Sequence, residues 1–275
     1  MESNPILPPD WIAHCIIPHP AKLPDFQRYL AEISSSLPGI DGGHSWTTLG
    51  GSRGIAYGDF RLGNWQWRVV MEAGTIPASL DAVVHGCIGA NHEIPLRRHR
   101  SHVINFLVGG PSPCGALEPI RQLSRITWPW LELGAELVIW PDGGTASTVD
   151  ELRIIDPAAI NEDHLYHFVS TQEVGADSRG QHWFRTYGLQ QFLLPDLACV
   201  VPLRTAPYLK AVKTCLASVP PYLIQIGRPL SPGETLNLDS STWEVVDEAV
   251  TGPAPFVSRF GVQIHRRLPR NVGNV

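Results

Sequence analysis

No run of about 18 consecutive apolar residues occurs in this chain, so no helical membrane span is expected. Basic charge is not in excess either. Lys and Arg number 21 against 26 Asp and Glu, a net charge of -5, and phosphate neutralisation needs the opposite balance, so nucleic acid is not an expected partner. Cysteine is sparse: Cys15, Cys87, Cys114, Cys199 and Cys215 are widely spaced, odd in number and set mostly among apolar residues. That pattern suits reduced thiols better than a disulfide framework and predicts a cytoplasmic compartment. Met1-Glu2-Ser3-Asn4-Pro5 lacks a basic region followed by an apolar stretch, so no secretory signal is expected. Gly50-Gly51-Ser52-Arg53-Gly54 lacks the strand-to-helix context of a nucleophile elbow and carries Arg before its last Gly. Walker, dinucleotide-binding and Cys-x-x-Cys patterns are missing as well, so no cofactor is expected.

What is present describes a folded chain with many turns. Hydrophobic residues make up 43% and charged residues 17%, so most of the apolar side chains must be inside. With 25 Gly and 25 Pro, short elements are expected rather than long helices. Trp11–Ile17 reads as a strand, and Phe26, Tyr29, Leu30 and Ile33 mark one face of a helix over Pro24–Leu37. Gly54–Arg61 and Trp65–Glu72 form a hairpin about Leu62-Gly63-Asn64. A helix over Ser79–Ile88 and a strand over Ser101–Val108 complete the order βαββαβ, predicting a ferredoxin-like first half at residues 1–110.

The second half, residues 111–275, is expected to be mixed α/β and packed against the first, with the whole chain in the α+β class. Leu117, Ile120, Leu123, Ile126 and Trp130 line a helix over Ala116–Leu133, in which Pro119 suits the first turn and Pro129 should bend or end it. Glu136–Trp140 is a short strand before the turn Pro141-Asp142-Gly143-Gly144. Leu165–Val174 and His182–Leu189 read as a hairpin, with Gly188 at a turn or bulge, and Leu197–Leu203 as a further strand. A helix from Pro207 to about Val219 should stop before Pro220-Pro221, and the runs from Glu234 to Arg266 suggest a small antiparallel ending.

Three segments stand out from generic globular sequence: Arg97-Arg98-His99-Arg100-Ser101-His102, Gly134-Ala135-Glu136-Leu137-Val138-Ile139-Trp140, and the stretch from Trp183 to Leu197 containing Arg185-Thr186-Tyr187-Gly188-Leu189 and Leu194-Pro195-Asp196. In these, and over about residues 65–202, the chain resembles the bacterial domain-of-unknown-function family numbered 4261. Leu193 departs from the pattern, standing where similar proteins commonly carry Gly, and this bears on the local turn. The resemblance implies a bacterial origin and brings no catalytic residues with it.

Two polar clusters are candidates for chemistry. Arg97, Arg98 and Arg100 can offer bidentate donors to a phosphate or carboxylate, joined by His102 and, from the second half, Arg185. His92, His99 and His102 with Glu93 include metal-ligand types, but Pro95 breaks a helix and positions 99 and 102 point to opposite faces of a strand, so no metal is expected there. Asp163, His167 and His182 form the second cluster, if His167 and His182 lie on facing strands. His14 and Cys15 sit in a short apolar run, where burial explains both. The leading expectation is a non-enzymatic binding or protein-interaction domain, acting on an unidentified protein partner through an exposed sheet edge, with homo-oligomers left open. The alternative is a protein or enzyme that takes a small anionic ligand in a cleft between the halves.

Overall fold

The computed structural model describes residues 11–22, 26–40, 47–49, 54–76, 92–112, 114–202, 204–238, 241–246 and 262–267. The α+β class is observed, in two compact units, Met1–Phe168 and Val169–Val275.

The first unit is built on strands β1 (Ala13–His19), β2 (Thr47–Leu49), β3 (Ile55–Leu62), β4 (Trp65–Ala73), β5 (Ser101–Gly109), β6 (Leu137–Trp140) and β7 (Thr145–Thr148). They form one sheet in the order β2-β3-β4-β5-β1-β6-β7, and every neighbouring pair is antiparallel. The hairpin expected about Gly63 is present: Leu62 pairs with Trp65 across Gly63-Asn64, and Gly63 takes φ +57°, which costs a residue without Cβ little.

The ferredoxin-like order is not confirmed. A split βαβ unit inserts one strand between the two that its helix connects, whereas here β4 and β5 both stand between β1 and β3. The boundary between units also falls well beyond residue 110, because β6 and β7 extend the first sheet on the far side of β1. The helix expected over Ser79–Ile88 lies outside the described residues.

Helices α1 (Phe26–Ser36), α2 (Glu93–Arg98), α3 (Glu118–Glu132) and α4 (Val149–Arg153) belong to this unit. In α3 the apolar stripe turns Ile120, Leu123, Ile126 and Trp130 inward, each fully buried, at roughly 1.5–3 kcal/mol per large side chain. Pro119 occupies the first turn, where its missing N–H costs nothing, and Pro129 falls in the last. Tyr29 of α1 stacks on Trp130 with ring centroids 3.9 Å apart, and its hydroxyl donates to Ile126 O at 3.1 Å, joining the two helices. Under α3, Thr127 Oγ1 donates to Leu123 O and accepts from Asn105 Nδ2 at 3.1 Å, with Cys15 Sγ 3.2 Å away. Burial pushes the Cys15 thiol up to about 12, which makes it an inert member of the core.

The second unit carries β8 (Ser170–Ala176), β9 (His182–Tyr187), β10 (Asp196–Val201), β11 (Thr235–Leu238), β12 (Ser241–Val246), β13 (Val262–Arg267) and helix α5 (Ala206–Ile226). The sheet order is β11-β12-β13-β10-β9-β8, with β10 and β13 parallel and the other pairs antiparallel. α5 does not stop at Val219 as expected. It runs through Pro220-Pro221 and buries Leu223 and Ile224 beyond them, so apolar burial offsets the backbone hydrogen bonds that two prolines forfeit.

Between β9 and β10 the chain makes a 3-10 turn, Leu189–Phe192, with a left-handed residue at each end: Gly188 at φ +109° and Leu193 at φ +60°. Leu193 is the one described non-glycine residue with positive φ, a conformation costing an L-residue about 1–2 kcal/mol. It sits at the position noted above as departing from Gly. At Gly188 a β-branched side chain would be strained more severely, so Gly188→Val is expected to lower stability by about 1–3 kcal/mol in urea unfolding. A wild-type midpoint would contradict the left-handed turn.

Candidate functional site

The basic segment expected to bind anions divides as it folds. α2 ends at His99, whose backbone turns extended at φ -65° and ψ 143°. The His99 ring then pins the corner, with Nδ1 donating to Leu96 O and Nε2 accepting from Ile76 N. His102, one step into β5, is buried beside its register partner Glu72, with Nε2 3.6 Å from Glu72 Oε2. Burial holds the His102 pKa below its usual value, against the pull of Glu72. Arg97, Arg98 and Arg100 all point to solvent, and Arg97 is paired with Glu93 at 2.9 Å on the helix surface, a contact worth little. The histidines face in and the arginines face out, so the segment presents no convergent pocket.

The second cluster is also divided. The strand expected from Leu165 begins only at Ser170, because Glu162–His167 form a 3-10 turn capped by Asn161. His167 Nδ1 lies 2.8 Å from Ser147 Oγ with both side chains buried, and burial lowers the His167 pKa. Asp163 is exposed. His182, on β9, stands opposite Ala176 and Val201, with Nδ1 3.5 Å from Glu173 Oε1. His167 and His182 therefore do not lie on facing strands.

Arg185 is 2% exposed, and its Nη2 donates at 2.9 Å to Asp196, itself 4% exposed. The guanidinium lies over the Tyr187 ring, and the other Asp196 oxygen accepts from Leu189 N at 3.1 Å. This pair fastens β9, the Gly188 turn and β10 together. It is structural, and the sequence named only one of its partners.

Proximity brings together a further pair that sequence reading left apart. His14 Nδ1 lies 2.9 Å from Asp142 Oδ2, joining β1 to the turn between β6 and β7. The ring stacks on Phe106 and meets the edge of Trp11, so aromatic side chains flank the imidazole. Among the described residues, no three His, Cys, Asp or Glu side chains are grouped so as to hold a metal ion, and no helix is long and apolar enough to cross a membrane.

A concave surface of the first unit lies elsewhere, on its helical side. A groove of about 600 Å³ runs between α1, α3 and the segment from Arg153 to Ala158. Its apolar lining comes from Leu37, Leu62, Trp128, Pro129 and Leu131. Helix periodicity sets one wall, since Arg125, Trp128, Pro129 and Glu132 are spaced i, i+3, i+4 and i+7 along α3. Trp128 Nε1 donates to Ile155 O at 2.8 Å, which fixes the indole and spends its only donor. Glu32 and Asp156 stand at the rim, as do Glu132 and Arg153, whose Nε is 3.6 Å from Glu132 Oε1. An apolar floor with a few charged groups around it is the make-up of a small-molecule site. Nothing in the local sequence signals it, because its walls come from residues 32–38, 62, 125–132 and 153–158. Comparison with protein-family models, with the curated proteins and with the solved structures finds no match.

Proposed function

We propose that this is a non-enzymatic binding protein whose ligand occupies the groove between α1 and α3 of the first unit. The observation that carries the reading is the groove itself, with its volume of about 600 Å³, its apolar floor and its charged rim. It is supported by the use of polar groups elsewhere. His19 Nε2 is 3.1 Å from Leu133 O, His99 bridges Leu96 and Ile76, and His167 meets Ser147. Those ring nitrogens are engaged in holding the fold. The resemblance to family 4261, with its bacterial cytoplasmic setting, remains part of the proposal and adds no catalytic group to it.

Partner binding at a sheet edge is the second reading, favoured by β8, which ends its sheet and exposes Thr171, Gln172 and Glu173. It ranks behind the groove because β8 carries a register shift between Glu173 and Gly175 and a charge at Glu173, both of which discourage strand addition.

The test is binding without turnover. A panel of small carboxylates, phosphates, amines and neutral aromatics is added to the protein, the melting midpoint is followed, and each compound is recovered for proton NMR. A saturable rise in midpoint with at least one compound recovered unchanged is expected. Conversion of any compound above the buffer rate, abolished in His14→Ala or Asp142→Ala, would replace the reading with an enzyme.

A further inference from the structure

We propose that the groove takes a monovalent organic acid, its apolar or aromatic body lying against Trp128 and Pro129 and its carboxylate held by Arg125. This rests on the groove reading above and names the class of ligand. Arg125 is the distinguishing group. It is half-buried, it lines the groove, and among the described residues it makes neither an ion pair nor a side-chain hydrogen bond. The arginines near it are occupied: Arg121 donates to Ile160 O and Glu118, and Arg153 to Leu131 O. A partly desolvated guanidinium without an acceptor is unfavourable, and a carboxylate matches its planar fork with two parallel hydrogen bonds.

Helical spacing then sets the rest of the ligand. Trp128 stands one turn along α3 from Arg125, and its N–H is already committed to Ile155 O, so the indole can offer an incoming molecule only apolar and π contact. The rim sets the charge. Glu32, Glu132 and Asp156 outnumber Arg125 and Arg153 among the lining residues, so a second or third negative charge on the ligand would be repelled. One anionic group at Arg125 is accommodated, and a nucleoside polyphosphate is not.

Fluorine NMR of para-fluorophenylacetate, with its neutral amide as the isostere, tests this on the full chain. Saturable binding of the acid is expected, at least about tenfold tighter than the amide, as one charge-assisted pair should give. Arg125→Gln should lose that advantage while melting like wild type, Arg125→Lys should retain part of it, and Arg98→Gln should change nothing. If acid and amide bind equally, both weakened by Trp128→Phe and neither by Arg125→Gln, the anion inference is overturned while the groove reading survives. If acid binding is lost in Arg98→Gln and kept in Arg125→Gln, both are overturned; if the acid fails to bind at millimolar concentration, the anion inference is overturned and the groove reading rests on the other compound classes.

Discussion

Asp196→Ala is expected to destabilise the chain by about 3–5 kcal/mol, the usual cost of leaving one partner of a buried ion pair behind. The carboxylate is 4% exposed and holds both Arg185 Nη2 at 2.9 Å and Leu189 N at 3.1 Å. Its loss takes the carboxylate away from a guanidinium that is 2% exposed and from the amide that starts the turn after Gly188. Water cannot substitute without opening the junction of β9 and β10. Asp196→Asn should recover part of the loss by keeping an acceptor for Leu189 N. A double change of Arg185 and Asp196 to Leu should cost less than Asp196→Ala alone, since two apolar groups leave no charge unpaired. Urea unfolding of the three variants checks the order. An Asp196→Ala variant within about 1 kcal/mol of wild type would contradict the buried pair.

Gly143→Ala should be nearly as damaging, for a steric reason. A Cβ built there would lie 1.9 Å from the Phe168 carbonyl oxygen and 2.7 Å from its carbonyl carbon. These are backbone atoms, so no side-chain rotation relieves the overlap. The segment they belong to is itself anchored, by Thr145 Oγ1 donating to His167 O and by Trp140 meeting the Phe168 ring edge-on at 4.8 Å. A loss of roughly 3 kcal/mol is expected, from the upper part of the overpacking range. That corresponds to a fall of roughly 6–12 °C in the melting midpoint. Gly180→Ala is the comparison: it has positive φ but no atom within 4 Å of the added Cβ, so only backbone strain of about 1–2 kcal/mol remains. Equal effects at the two glycines would contradict the close approach of Phe168 to the turn.

These positions also show what can be read from sequence and what cannot. Gly63 and Gly188 announced their turns because a single residue type meets a single backbone demand. The α3 stripe was readable because its period is local. Strand order was not, since placing β5 between β4 and β1 instead of β1 between β4 and β5 changes no local pattern. The 3-10 turn at Glu162–His167 displaced an expected strand because Asn161 caps it, and that choice depends on Ser147 and Thr145 across the unit receiving His167. Pro220-Pro221 reads locally as a stop because helix breaking is intrinsic to proline, whereas the burial that Leu223 and Ile224 gain beyond it is tertiary.

The candidate site was the least legible part. Charge drew attention to Arg97, Arg98 and Arg100, which extend into water, and to Arg185, which is consumed by a partner 11 residues away. Arg125 drew none, because it is one ordinary helical arginine until α1 and the segment after α4 close around it. Its significance lies in what it lacks, and a missing partner can be seen only in three dimensions.

Hydrogen–deuterium exchange with and without para-fluorophenylacetate reports where a ligand binds without presupposing a residue. Slower exchange is expected at the end of α1, in the last turns of α3 and over residues 153–158, with the second unit unchanged. Slower exchange confined to β8 and β9, or to α2 and the start of β5, would rule out the groove and return the site to the sheet edge or to the exposed arginines.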